Sequence, residues 1–493
     1  AWNQPIPRPS AAFRHLMAKS FLWFDLETFG RDPRRSRIAQ FAAIRTDEEL
    51  NEINEPISWF CQPANDLLPS PEAALITGIS PQQAQRDGVC EAEFFAGINE
   101  ELSVANTCAV GYNSIRFDDE FIRFGLYRNF HDAYEREYRN GNSRWDLLDF
   151  MRLAHAMRPE GLEWPKREDG FTSFKLEHLA EANGTREGMA HEALSDVRAL
   201  IGLAKKLRAA QPKLWDYYLQ LRSKEKVVSL LDVFRQTPVL HISGQFPAQN
   251  LCAALVIPLA WHPEIKNRAI VFDLSNNPAD LLELDAEDIS ERVFIRQIDL
   301  PEGISRIPLK EIHANRCPVV LPLAHCRDED FKRIGIDKEK CLANASLIQQ
   351  ASGLAEKVRQ VFVKKTAYDA SDADAALYDG FPSDSDKRFF ATIRSSSPAQ
   401  LKNFLSPWKH GSRYDELLFR YRARNWQDSL SLDETARWND YRRHRLMKES
   451  SQSEYSFESY YLEIERCRIL ASADQQSLLD QLQVWGQSIE TSL

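Results

Sequence analysis

None of the eight cysteines stands in a CxxC pair. That pattern speaks against both a disulfide framework and structural zinc, and it fits a reducing cytoplasm. No stretch of about 18 apolar residues exists, so the sequence offers no membrane span. The opening AWNQPIPRPSAAFRHLMAKS lacks the apolar centre of a signal peptide, and residues 1–19 read as a flexible leader. Internal repeats and low-complexity tracts are missing too. Positive charge is not in excess: the net formal charge is −10. By its total this counts against a nucleic-acid partner, although a binding groove needs only local charge.

What is present is an ordinary globular composition, 43% hydrophobic and 27% charged, in a chain of 493 residues. That length exceeds one hydrophobic core and suggests about three domains. Residues 20–210 alternate strand-like runs (FLWFDLE, RIAQFAAIRTD, TCAVGYN) with helical ones (FDDEFIRFGLYRNF, SRWDLLDFMRLAHAM, HEALSDVRALIGLAKKLRAA), the pattern of an α/β layer fold. Residues 211–362 form a second block. Its short β-rich runs PVLHISGQF, AALVIPLAW, RAIVFDLS, ERVFIRQIDL and CPVVLPL predict a small barrel or sandwich. Residues 363–386 read as a connector, and 387–493 as helical throughout, for instance PAQLKNFLSPW and ADQQSLLDQLQVWGQSI.

The run FLWFDLETFG sets two acids into a core strand. Residues i and i+2 of a strand share a face, so Asp25 and Glu27 project together. Two unpaired buried carboxylates are costly and raise each other's pKa. Either they reach water or an arginine at the strand end, or a divalent cation sits between them. Asp118 shares a helical stripe with Phe121, Ile122 and Gly125 and reads as inward-facing, whereas Asp119 lines up with Arg123 as a solvated outward pair. A first-turn acid complementing the helix dipole would look the same at Asp118. In AHEALSDVRALIGLAKK, His191 and Asp196 serve one site only if His191 precedes the helix and Asp196 lies one turn inside. By itself His191 could equally be a capping or surface histidine. Four inward acids and a histidine from three segments of one domain call for a shared explanation. Two divalent metals held by carboxylates supply one, with Mg²⁺ or Mn²⁺ favoured by oxygen-only ligands.

DLET, NSIRFDDEF and HEALSD resemble the three motifs of the proofreading-type 3′→5′ exonuclease superfamily, in its histidine-containing branch. With QFAAIRTD, LITGIS, NSRWDLLD, SFKLEHLAEANG and FRYRARNW, the chain is similar to bacterial exonuclease I from about residue 20 to its end. This resemblance implies a ribonuclease H-like mixed sheet with flanking helices, an SH3-like β-rich domain and an all-α C-terminal domain. It implies processive degradation of single-stranded DNA to 5′-mononucleotides, in DNA repair and recombination, by a cytoplasmic monomer. Asp25, Glu27, Asp118 and Asp196 then hold two Mg²⁺, and His191 is the general base.

Single strands are gripped by basic grooves and aromatic faces. Glu27, Thr28 and Phe29 are placed to meet the terminal nucleotide, and Asn113, Arg116 and Phe117 to meet the next ones. Arg420, Arg422 and Arg424 alternate with Tyr421 along FRYRARNW and could line the strand's path, although such a helix is usually a solvated face. The resemblance also implies docking of the acidic-hydrophobic tail of single-stranded DNA-binding protein, with Arg158, Tyr217 and Arg327 at matching positions. Pro322 and Gln349 stand where that pocket has a polar residue and an arginine. Two alternatives remain: an RNA-trimming exonuclease of the same fold, and a non-catalytic strand-binding module.

Overall fold

The structure is a computed structural model that describes residues 19–186, 188, 192–363 and 371–493. The chain divides into two compact units. One is drawn from Ala1–Ser143, Glu187–Ala199 and Tyr368–Leu493, the other from Arg144–Arg186 and Leu200–Ala367. These units do not follow the linear blocks of the sequence, because the C-terminal helices belong with the first sheet.

In the first unit, strands β1 (Ser20–Thr28), β2 (Ile38–Thr46), β3 (Ile57–Phe60) and β4 (Thr107–Gly111) lie in the order β3-β2-β1-β4. β1 pairs antiparallel with β2 and parallel with β4, so the sheet is mixed. Alternation along β1 sorts its side chains. Leu22, Phe24 and Leu26 pack with Phe41, Phe94 and Phe121 in one core. Trp23, Asp25 and Glu27 take the other face, where the Trp23 indole donates to Thr46. Between Glu27 and Thr28 the register with β2 slips, a bulge where the strand reaches its acids. Helix Asp118–Arg128 packs tightly on helix Glu91–Leu102: a Cβ at Gly125 would sit 1.8 Å from the Phe95 ring.

The C-terminal helices of this unit include Arg413–Asn425, Leu432–Leu446, Phe457–Arg468 and Ala473–Thr491. The last three each start on a serine capping box, which satisfies first-turn N–H groups. They seize the loop after β3. Trp438 and Arg442 donate to Asn65, Arg445 to the Asp66 carbonyl, and Trp485 to the Leu67 carbonyl. The expected connector is partly core. Ala373, Ala376 and Leu377 are buried with Phe124 and Tyr414, because a 3-10 turn at Ala373–Tyr378 folds them inward.

The second unit begins at Arg144, inside β5 (Ser143–Asp146), which leads into helix Leu147–Met157. Its own sheet is antiparallel, in the order β10-β6-β7-β8-β9, formed by β6 (Val239–Ile242), β7 (Ala253–Trp261), β8 (Arg268–Asp273), β9 (Leu309–His313) and β10 (Val319–Pro322). The expected strand ERVFIRQIDL is instead the end of helix Ala286–Phe294 and a 3-10 turn. Asp285 caps that helix, and Ile289 and Val293, four apart, are its buried stripe. The fifth strand comes from LKEIH, whose charged residues hid it.

Candidate active site

Two elements of the first unit bring three acids together. Asp25 and Glu27 come from the end of β1, and Asp196 from the first turn of helix Ala193–Ala210. One carboxylate oxygen from each lies within 4.8 Å of the other two. Glu27 is buried, and Asp25 and Asp196 are half-buried. Helix geometry explains Asp196: its N–H donates to the Glu192 carbonyl, so it stands one turn in and faces the sheet.

Burial, and then the Asp196 charge, pushes the Asp25 carboxyl up to about 8. Burial, then Asp25 and Asp196, pushes Glu27 up to about 9. Near neutral pH Asp25 and Glu27 hold protons unless a cation replaces them. The donors are all hard carboxylate oxygens on one partly open face, which fits a divalent cation.

Asp118 is buried at the start of helix Asp118–Arg128 but stands outside the three-acid cluster. Its route is set by β4. Trp23 is in register with Val110, so the chain leaves β4 beside Asp25. It turns sharply there, and a Cβ on Gly111 would lie 2.4 Å from that of Ser114. His191 lies outside the described residues. The expected solvated pair of Asp119 and Arg123 is corrected: Asp119 is buried against Arg136 at 2.7 Å, and Arg123 is buried against Glu137. A second layer covers this helix, so it has no free outer face there.

Three family models match the chain: Exonuclease over residues 22–204, Exonuclease I SH3-like domain over 222–364, and Exonuclease I C-terminal domain over 371–489. Exodeoxyribonuclease I of Escherichia coli is 44% identical over 425 residues, covering 86% of this chain and 89% of that protein. The chain belongs to the exonuclease I family. Among solved structures, exonuclease I from Methylocaldum szegediense is 44% identical with a TM-score of 0.92, covering 96% of this chain and all of that one. E. coli exonuclease I in complex with a dA16 oligonucleotide is 40% identical with a TM-score of 0.91, at the same coverage. A complex described as ExoI/SSB-Ct is 40% identical with a TM-score of 0.88, covering 96% of this chain and 99% of that one.

Around the acids of this family member, Thr28 is buried and its hydroxyl donates to the Gly30 carbonyl. Phe29, expected at the terminal nucleotide, is a core residue here: it is 2% exposed and packs with Ala39, Leu67, Ile79 and Ala84. Asn113 and Arg116 are exposed, and Phe117 is half-buried with its ring 5.0 Å from Phe121. Sequence reasoning missed Glu454, whose carboxylate accepts from the Asp32 amide at 2.6 Å and so pins the loop after β1. The signal was Gly30 of ETFG, since a Cβ there would sit 2.2 Å from that carboxylate.

The three arginines of FRYRARNW are corrected outright, because all are buried and committed to ion pairs. Arg424 Nη2 lies 2.8 Å from Asp66 and 2.6 Å from Asp374. Arg420 pairs with Asp372 at 2.7 Å and Asp374 at 3.1 Å, and Arg422 with Glu434 at 2.6 Å. Charge on a helix pointed to phosphate only while its acidic partners, far away in sequence, were out of view.

In the second unit Arg158 and Arg327 share Asp330, at 2.8 and 3.2 Å. The Tyr217 hydroxyl donates to the Val320 carbonyl, and its ring meets His325 edge-on. The three expected partner-binding residues thus gather at one stretch, 319–330. Pro322 ends β10, and the Gln349 amide donates to the Gln236 carbonyl.

Proposed function

We propose that the chain is a 3′→5′ exodeoxyribonuclease that removes 5′-mononucleotides processively from single-stranded DNA. The observation that carries this reading is the convergence of Asp25, Glu27 and Asp196 at one strand end. With Asp118 they would hold two Mg²⁺, or Mn²⁺ in its place. Such ions supply polarisation of the scissile phosphate and acidify a bound water. The carboxylates of Asp25 and Asp196 would hold those ions at the strand end. His191 would take the proton of the attacking water, and Glu27 and Thr28 would meet the terminal nucleotide. Exposed Asn113 and Arg116, with Phe117, contact the following nucleotides.

The relatives' DNA and SSB-Ct complexes support the same partners here. Arg158, Tyr217 and Arg327 would receive the acidic tail of a single-stranded DNA-binding protein, with Arg327, exposed, making the first charge contact. A monomer acting in DNA repair in the cytoplasm completes the proposal. Eight free thiols support that compartment, and among the described residues no helix is long and apolar enough to cross a membrane. The test uses labelled single-stranded DNA, duplex DNA and RNA with Mg²⁺, with and without EDTA. Digestion of the single-stranded DNA alone, abolished by EDTA, is expected; preference for RNA would favour the trimming alternative.

A further inference from the structure

A cavity of about 250 Å³, lined by none of the three acids, opens in the first unit between the end of β3 and the C-terminal helices. Arg37, Asn65, Gln85, Glu91, Arg424 and Gln427 are among its lining residues. By share of liquid volume it has room for about eight waters, enough for a phosphate with a small attached group but not for a strand.

Its charges do not balance. Arg420 and Arg424 are matched by Asp372, Asp374 and Asp66, and Arg445 adds to the same acids at 3.8 Å. Arg37 and Arg128 share Glu91, at 3.6 and 3.2 Å. The Arg37 side chain is 6% exposed, and its nearest other acid, Asp374, is 3.9 Å away and already holds two closer arginines. Its Nη1 donates to the Ser36 carbonyl, whereas its buried Nη2 makes no hydrogen bond. A buried donor left unsatisfied on a cation costs more than a neutral one. Burial, then Arg128 and Arg424, pulls the Arg37 guanidinium down to about 9, as expected of a cation short of an anion.

We propose that this cavity binds a phosphate-bearing anion through Arg37. The chemistry suits a phosphate monoester dianion, whose oxygens accept from a guanidinium edge. Two sources share it: inorganic phosphate and a deoxynucleoside 5′-monophosphate. The site is not isolated from the acids. The Arg37 carbonyl accepts from the Phe29 amide at 2.9 Å, directly after β1, so an occupant would stiffen the loop leaving the active-site strand.

Calorimetric titration of the full chain in EDTA, where the acidic site holds no cation, tests this independently of the proposed nuclease reaction. Phosphate, dTMP and thymidine are the probes, on the wild type, Arg37→Met and Gln85→Glu. Gln85 is exposed at the rim, so its variant adds a repelling charge without disturbing the buried pairs. Binding of dTMP, with or without phosphate, is expected with a dissociation constant below about 10 mM. Each variant should weaken it at least about tenfold. Binding of dTMP alone identifies the nucleotide as the ligand, and equal binding of phosphate identifies the free anion. No binding by either, thymidine binding as well as dTMP, or unchanged affinity in Gln85→Glu would overturn the proposal and leave water as the occupant. Should Arg37→Met fail to fold, Gln85→Glu decides.

Discussion

Replacing Arg424 by methionine separates two roles that the sequence could not. Its guanidinium bridges Asp66 and Asp374, and all three side chains are at most 3% exposed. Removing one partner of a buried pair costs about 3–5 kcal/mol, since the opposite charge stays behind without its match. Here two carboxylates lose that partner. The cost stays within the single-pair range because Arg445 lies 3.8 Å from each of them and Arg420 still reaches Asp374. Burial pushes the Asp66 carboxyl up, but Arg424, then Arg445 and Arg37, hold it well below the usual range, and Asp374 behaves likewise. Depressed carboxylates give stability that is full above the unfolded carboxylate range near pH 4 and lost as the pH falls. Urea unfolding should therefore show a midpoint clearly lowered at pH 7, with the loss shrinking toward acid. Oligonucleotide binding in EDTA, followed across salt concentration, should keep its slope. An unchanged midpoint with a slope shallower by about 0.7, the value of one phosphate contact on a single strand, would refute the assignment and return Arg424 to the DNA path.

Asp25→Asn should abolish cleavage while the protein still folds and binds oligonucleotide; wild-type turnover in that variant would remove the carboxylates from the chemistry. His191→Ala should slow the reaction by about 10²–10⁴-fold and erase one limb of its pH–rate profile. An unchanged profile would make it a capping residue. Because Asp25 and Glu27 are raised to about 8 and 9, Mg²⁺ must displace protons. Its apparent affinity should climb with pH up to about 9, and calorimetry in buffers of different ionisation enthalpy should detect proton release. Affinity that is flat from pH 6 to 9 would contradict those shifts. Arg327→Ala should weaken an acidic, hydrophobic-ended peptide in fluorescence anisotropy without altering cleavage of short strands; equal affinity would exclude that surface.

The acids were legible because period-two alternation places Asp25 and Glu27 on one face whatever the fold. Asp196 was legible because Leu200, Leu203 and Ala204 mark the buried side of its helix. Strands such as AALVIPLAW, apolar throughout, were plain for the same reason. Asp119 and the arginines at 420, 422 and 424 were not, since a charged side chain reads as solvated until its partner is known. Asp119 meets Arg136, and Arg424 meets Asp66, 358 residues away. β9 and the helix ending at Phe294 were exchanged because a local apolar run outweighed the Asp285 cap. Glu454 left only the indirect trace of Gly30, as nothing near it in sequence hints at the Asp32 amide it holds.

The most direct measurement follows one oligonucleotide carrying different labels at its two ends, digested in Mg²⁺ and sampled through time. The 3′ label should appear at once in a mononucleotide, the 5′ label should persist until the strand is consumed, and EDTA should stop both. Early release of the 5′ label, internal fragments, or the same rate in EDTA would contradict a carboxylate-held, metal-dependent 3′→5′ exonuclease.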